Sequence, residues 1–551
     1  MGRHSAAVTV RSRRPLIITV AGLVVLAVGG ALVIRSLGGD DSSDSDLIAA
    51  GNCDKPINVT VAAAPELQPQ IEAAAKTLQG RDDGGACATF KVSGSSPAAI
   101  AQAVATGDEH PDLWIPDSSL WVSQADDGQS LPLVAVPSLA TSPLVIVGMP
   151  RSFANTSSWL GLFSGTQPAV LDPLSTGTGA VTLLAIAAER AKTNATDNQV
   201  AQVMVPLAQR HGSMAQPYRD IDGLFSRVVP GDTSIVVPAS EQAFATFKEK
   251  HPESGLRAVV PQTGTLMLDY PLVVTAKENT DKVSEAGKRL AQELRSDASA
   301  RALDEAGFRA ATGEVLSGGR GIGDVTLLSK PEPAAAERVI QNWATLALSA
   351  HTLVVIDASS SMATKVAATK SWMDLTGDAA IAGMGLFPNN AEIGLWAIST
   401  KLGGANRDWA PLVPIRQLGA RVGAGTQRDA ILHAFGTIKA NVGGSTGLYE
   451  AALAAYRTVQ DSYDPRSINS VVIFTDGYST NAGNLTLSDT LTSLQRLRDP
   501  ARPVRIVAIG MGPDVDSVSL GKLARATGGS SYLARGPGDI KNVFIDALKH
   551  R

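Results

Sequence analysis

An excess of positive charge is the first thing this sequence lacks. Its 48 Lys and Arg against 52 Asp and Glu leave a net charge of −4, and no aromatic residues interleave with basic ones. A nucleic-acid partner would call for a basic domain or patch, so that class is excluded. Histidine is scarce: there are seven, and His351 and His433 lie in no Ser/His/Asp context. With no nucleophile paired to a histidine base, the expectation is a binding protein and not an enzyme. No internal repeat and no long low-complexity tract occurs, so repeat architectures are excluded. Cysteine is limited to Cys53 and Cys87, enough for one disulfide at most.

At 551 residues the chain is too long for one hydrophobic core, and length alone suggests about three domains. Composition is that of a globular protein, 44% hydrophobic and 18% charged. Leu16 to Ile34 is a run without a charge, close to the roughly twenty residues that span a bilayer core. Arg3, Arg11, Arg13 and Arg14 precede it, and Asp40, Asp41, Asp44 and Asp46 follow. The positive-inside rule predicts a cytoplasmic tail over 1–15 and a transmembrane helix over 16–36. An acidic tether over 37–50 would follow, with the bulk of the chain outside the cell membrane. A cleaved signal peptide is the rival, although its apolar core is usually shorter and no A-x-A site follows the run. Ala49 to Cys53 lacks the small-residue pattern of a lipoprotein signal and lies too far from the run. On the outside, Cys53 and Cys87 are expected to pair. The closed loop of about 35 residues would be worth on the order of 3–4 kcal/mol. Two buried unpaired thiols are the alternative.

The centre of the sequence is Leu353-Val-Val-Ile-Asp-Ala-Ser-Ser-Ser-Met362. Its apolar, largely β-branched start reads as a strand covered on both faces. Asp357, Ser359 and Ser361 then leave the strand's carboxyl end, where an open α/β sheet forms its crevice. Hard oxygens of this kind suit Mg²⁺, Mn²⁺ or Ca²⁺ rather than zinc or copper. An ordinary N-capped turn is the alternative for the motif alone. Gly443-Gly-Ser-Thr-Gly-Leu448 adds a glycine-rich turn opening a helix, and Val471-Val-Ile-Phe-Thr-Asp-Gly477 a second buried strand ending in an acid. The three segments together resemble the von Willebrand factor A domain and its metal ion-dependent adhesion site. The resemblance covers roughly the last two hundred residues. It implies a divalent cation, Mg²⁺ or else Mn²⁺ or Ca²⁺, held by Asp357, Ser359, Ser361, Thr446 and Asp476. It also implies a protein or cell-envelope partner whose carboxylate completes the coordination.

From Ile57 short strands and helices alternate. Strands over 57–63, 88–92 and 112–116 with helices between them form βαβαβ, and so a parallel sheet. Further strands are expected at 144–147, 169–171, 234–237 and 266–275, the last returning between two lobes. The pieces V-S-G-S-S-P, D-L-W-I-P-D, L-D-P-L-S-T-G-T-G, I-V-V-P-A-S-E-Q and L-D-Y-P-L-V-V follow in order. Together they resemble the extracellular solute-binding proteins with two α/β lobes, in particular the group that includes molybdate-type receptors. The resemblance implies a solute-binding-like domain over 51–313 that takes a small solute or anion. Candidate ligand-binding residues are Ser95, Ser96, Asp117, Ser175, Thr176 and Ser240. The serines and threonines stand where helices begin, and free N–H groups with the helix dipole favour an anion there. Simple N-capping is the alternative for each. No Arg or His stands in these turns, so oxyanion specificity is not implied. A lobe pair kept as a protein-binding scaffold is the other alternative.

Residues 314–334, with Gly318-Gly-Arg-Gly-Ile-Gly323, read as linker and not as a nucleotide loop, since no strand precedes the glycines. An amphipathic helix near 334–349 then opens an A-like domain over 335–551. Strands are expected at 391–398, 471–475, 504–509 and 532–533. Helices are expected at 429–441, 448–460, 485–498, 518–526 and 540–549. Trp396 and Phe474 are expected in the core. The fold class is therefore α/β: a two-lobed periplasmic-binding-protein-like domain followed by a doubly wound A-type domain. Two functions follow: capture of a partner through the cation, or a solute receptor of a transport system with the A-type domain as docking module.

Overall fold

The computed structural model describes residues 56–543, apart from 80–86, 127, 129, 154–156, 215–217, 219, 229–233, 367–368, 386, 406, 478–484, 513–514, 537–538 and 540–542. The expected tail, membrane helix and tether lie outside these residues, as do Cys53 and nearly all of the expected closing helix. Among the described residues no helix is long and apolar enough to cross a membrane. The expected localisation as a single-pass membrane protein is corrected on that finding, and the membrane as a partner with it. Cys87 is held in a disulfide, and no described cysteine is free.

The first lobe is a sheet of β1 (Ile57–Ala63), β2 (Ala88–Gly94), β3 (Leu113–Ile115) and β4 (Leu133–Val136), with one later strand. The second contains β5 (Ala140–Gly148), β6 (Gln167–Pro168), β7 (Ile235–Ser240), β8 (Arg257–Val259) and β9 (Met267–Leu268). β10 (Leu272–Val274) returns to the first sheet, and β11 (Arg309–Ala310) joins the second. The orders are β2-β1-β3-β10-β4 and β11-β5-β7-β6, with β8 and β9 also on β5. β1 runs parallel to β2 and β3, as βαβ units require. The second sheet is mainly antiparallel, because every partner of β5 meets it head to tail. The alternating texture of the sequence did not show this. β5 is apolar for most of its length and buried throughout, which places it at the sheet's centre.

The chain crosses between the lobes at 137–139, at 269–271 and again at 306–308, before β11. The first two crossings are joined, Leu139 N donating to Tyr270 O at 3.0 Å. Tyr270 has φ of 32° there, a left-handed backbone that costs a non-glycine residue and persists only where its surroundings impose it. The segment expected as linker is pinned to the second lobe. Glu241 and Arg309 form a buried bidentate ion pair at 2.6 and 2.8 Å. Arg309 also donates to Gly323 O, and Ile322 N donates to Glu241.

The helix Pro333–Ala347 begins at a proline, suited to a first helical turn. Sequence reading placed it with the C-terminal domain. It instead buries Ala336, Ile340 and Trp343 in the core of the second lobe. After one intervening residue, Leu348, β12 (Ser349–Asp357) begins. The neighbouring lobe helix Asp197–Gly212 sends Ala201 and Val205 into the core of the C-terminal domain. Gln209 Nε2 donates to the carbonyls of Leu346 and Leu348. Lobe and domain thus share a seam.

The C-terminal sheet adds β13 (Glu392–Ile398), β14 (Trp409–Gln417), the small hairpin β15 (Arg421–Val422) and β16 (Gly425–Thr426), then β17 (Ser467–Thr475), β18 (Arg505–Met511) and β19 (Ser531–Ala534). The order is β14-β13-β12-β17-β18-β19, and all but the β13–β14 pair are parallel. Helices Trp372–Met384 and Gln427–Ala440 pack on one face. Leu448–Asp461, Leu487–Leu497 and Ser517–Ala526 pack on the other. This is the doubly wound arrangement the sequence implied. Trp396 and Phe474 are buried as expected. The edge strand β14 escaped sequence reading because Pro411 and Pro414 interrupt it, which only an edge tolerates.

The seam admits no extra atoms at Gly212, where a Cβ would overlap the backbone of Ala347. Gly212→Ala is expected to destabilise the chain by about 1–3 kcal/mol through overpacking. Gly436→Ala, in a helix with open space around it, should be neutral or stabilising by up to about 1 kcal/mol. Urea unfolding of both variants followed by tryptophan fluorescence checks the pair.

Candidate functional site

The cluster at the rim of the C-terminal sheet is built by three strand ends. The register pairs Asp357 with Ile398 and Ile356 with Phe474, so β12, β13 and β17 stop at one level. Asp357 is wholly buried. Its Oδ1 accepts from Ser359 N at 2.8 Å, and its Oδ2 accepts from Thr446 Oγ1 at 3.2 Å and Thr475 Oγ1 at 2.6 Å. Ser359 Oγ lies 3.0 Å from Ser361 Oγ, which donates to Asp476 Oδ1 at 2.7 Å. One chain of hydrogen bonds therefore joins Asp357, Ser359, Ser361, Thr446 and Asp476. Ser361 is exposed and opens the cluster to solvent. Thr475 was inside the quoted strand motif but had no role assigned. The signal for it was its place one residue before the acid.

Burial raises the pKa of Asp357 against the hydrogen bonds that lower it. Burial also pushes Asp476 up to about 6, with the Ser361 bond opposing and the charge of Asp357 adding to the rise. Two acids pressed toward neutrality beside three hydroxyls form a donor set of hard oxygens short of positive charge. Such a set could hold Mg²⁺, Mn²⁺ or Ca²⁺. Among the described residues no three His, Cys, Asp or Glu side chains gather as metal ligands, so hydroxyls would have to complete any coordination here.

In the two lobes the candidates divide. Asp117, just beyond β3 in the first lobe, is buried. Its Oδ2 accepts from Gly177 N at 2.8 Å, and its Oδ1 from Trp121 Nε1 at 2.8 Å. Gly177 opens the second-lobe helix Gly177–Thr193. The protein's own carboxylate thus takes the helix N-terminus where a solute anion was expected. A Cβ on Gly177 would run into that carboxylate. Ser175 Oγ donates to Asp172 at 2.7 Å. Thr176 caps its helix through Gly179 N, and Ser240 caps Glu241–Lys250 through Ala243 N. Ser96 stands at the start of Pro97–Thr106 and makes no side-chain cap bond. Ser95 N donates to Ala63 O at 2.9 Å, which holds Ser95 and Ser96 on the carboxyl rim of β1. Among the described residues no hydrogen bond joins Ser240 to the other candidates.

Two residues at this cleft were missed. Glu66 follows β1, and Tyr270, at the strained crossing, donates to its Oε1 at 2.9 Å. Burial raises the Glu66 pKa, its own backbone bond and Tyr270 opposing. Burial, then the charge of Glu66, pushes Asp117 up to about 7. Only tertiary structure brings these three groups together.

His351 has a context that sequence did not reveal. Its Nδ1 lies 2.6 Å from Glu392 Oε2 and its Nε2 2.9 Å from Ser462 Oγ. The serine hydroxyl, however, donates to Thr458 O at 2.9 Å. It stands at the C-cap of Leu448–Asp461, where the helix dipole would oppose an oxyanion. The trio ties that helix end to β12 and β13. His433 is exposed on its helix.

Asp117 yields a pH signature. An acid whose folded pKa is raised adds stability that is complete below its unfolded value and lost as pH rises through the folded one. From the ordinary 3.8 to about 7, the wild type should lose stability relative to Asp117→Asn. Chemical denaturation across that range checks the sign. A stability difference that does not change with pH would contradict it.

The comparisons with known proteins bear on the lobes. No curated protein matches the chain. A periplasmic thiamin binding protein of known structure is 15% identical, covering 55% of this chain and 98% of its own, with a TM-score of 0.41. The sulfate-binding protein SubI from Mycobacterium tuberculosis H37Rv is 20% identical over 46% of this chain and 87% of its own, TM-score 0.34. A von Willebrand factor type A structure from Catenulispora acidiphila is 18% identical over 37% of this chain and 42% of its own, TM-score 0.29. The family described as bacterial extracellular solute-binding protein matches residues 59–309, the stretch that forms the two lobes.

Proposed function

We propose that the chain is a solute receptor of the kind associated with transport systems, with its C-terminal domain as a docking module. The family match over 59–309 carries the reading. The lobes support it physically: crossings at 137–139, 269–271 and 306–308 connect them, and the candidate residues of both meet where Asp117 reaches Gly177. A small solute or anion would enter between the lobes by displacing that carboxylate from the helix start. Ser96, exposed and free of a capping role, and Ser175 would then face it.

The cluster around Asp357 favours a second reading for the C-terminal domain. Mg²⁺, or Mn²⁺ or Ca²⁺, bound by Asp357, Ser359, Ser361, Thr446 and Asp476 would accept one further carboxylate from a protein or cell-envelope partner. Thr475 orients Asp357 from behind. The carrying observation is the unbroken hydrogen-bond chain through all five residues.

For the lobes, the probes are sulfate, molybdate and thiamine added to the full chain. One of them is expected to raise the thermal midpoint, stabilising by about 2.7 kcal/mol at a hundredfold excess over Kd. Ser96→Trp should abolish the rise. No shift with any probe, and no small molecule found by mass spectrometry of the denatured protein, would overturn solute capture. For the C-terminal domain, calorimetric titration with Mg²⁺ should show saturable binding that Asp357→Ala abolishes. Equal binding by both proteins would overturn the cation reading.

A further inference from the structure

The loops beside the Asp357 cluster carry a charge pattern that the cation reading does not use. The hairpin loop between β13 and β14 is stapled to the loop that presents Thr446. Thr400 N donates to Ser445 O at 2.9 Å, Ser445 N to Thr400 Oγ1 at 2.9 Å, and Thr400 Oγ1 to Ser445 O at 3.0 Å. Ser399 Oγ donates to Gly443 O. The next residue, Lys401, is exposed and held at φ of 58°, with its N–H given to Asp408 Oδ1 at 2.7 Å. Arg407 closes the hairpin, its guanidinium 4.8 Å from the ring centroid of Trp409. On the other side Lys365 is exposed, four positions beyond Ser361. Among the described residues none of these three cations makes an ion pair. In the loops 358–371, 399–408 and 442–447 the only acidic residue is Asp408, and it is buried.

A chain of net charge −4 therefore carries three unpaired cations on the loops beside the cluster, while Asp357 and Asp476 are buried. Lys370, in the same loop as Lys365, pairs with Asp378, and Lys439 pairs with Asp374; among the described residues Lys365, Lys401 and Arg407 have no such partner. We propose that Lys365, Lys401 and Arg407 form a cationic collar that selects an acidic peptide segment of a partner protein. One carboxylate of the segment seats on the cation, and its neighbours face the collar. The proposal rests on the cation reading of the Asp357 cluster and adds the partner's chemistry. Exposed pairs of this sort contribute more to association rate and specificity than to affinity, so capture should weaken steeply with salt.

The test uses the full chain and a fluorescein-labelled peptide of alternating Asp and Glu, with its Asn/Gln twin. Fluorescence anisotropy should show capture of the acidic peptide in Mg²⁺ and none with EDTA, and at least tenfold weaker capture of the twin. The double charge reversal Lys401→Glu with Arg407→Glu should cost about tenfold or more in Kd, chiefly in the on-rate. Lys401→Gln should cost less. Mg²⁺ calorimetry on the same proteins separates the two ideas. Absence of Mg²⁺ binding in the wild type would overturn the cation reading and this proposal together. Normal Mg²⁺ binding with equal capture by wild type and double variant, or equal capture of the twin, would overturn the collar alone.

Discussion

A carboxylate shut away from water at the end of a central strand governs the C-terminal domain. Burying the charge of Asp357 costs several kcal/mol unless hydrogen bonds or a counter-charge offset it. Three donors converge on it: Ser359 N from its own turn, Thr446 from the glycine-rich loop, and Thr475 from the next strand. Meeting that demand fixes three loops relative to one another. The same loops then carry Ser361 and Asp476 into line, and Ser445 anchors the hairpin with Lys401. The rim is organised from its most buried group outward.

The lobes repeat the theme with a different solution. Asp117 is buried at the end of β3 and satisfied by Trp121 and by the first N–H of a helix in the opposite lobe. A helix start is a ready anion site, so the acid both meets its own need and joins the lobes. Any solute entering there competes with an internal carboxylate already in place. Burial, and then the charge of Glu66 nearby, leaves that carboxylate closer to its protonated form than an isolated aspartate.

Between these two sites lies a continuous physical connection. Pro333–Ala347 is part of the second lobe's core, β12 starts after one intervening residue and ends at Asp357, and Ala201 and Val205 reach across into the C-terminal core. Asp172, from the cleft loop, meets His211 at 3.3 Å, and the His211 ring lies 5.5 Å from that of Trp343. Packed interiors transmit displacement rather than absorb it. The second lobe and the start of the C-terminal sheet therefore form one unit across the seam.

Much of this was legible in sequence, for local reasons. Asp357, Ser359 and Ser361 are two apart in a turn after an apolar β-branched run, and such a turn has few conformations. Thr446 and Asp476 stood in equally short motifs. The doubly wound sheet followed from strands and helices in alternation, and the parallel core of the first lobe likewise. What sequence could not decide was anything that depends on partners far along the chain. No strand was expected at β14, because Pro411 and Pro414 interrupt it and nothing local says that it is an edge. Pro333–Ala347 looked like the opening of one domain because its amphipathic face does not name the surface it covers. Asp117 looked like a ligand residue, and the approach of Gly177, sixty positions away, together with nearby Trp121, satisfied its carboxylate within the protein. Short motifs determined which chemistry the chain carries. Tertiary packing decided which of those groups stay open to a ligand and which satisfy the protein itself, because a buried charge takes whatever donor the fold brings nearest.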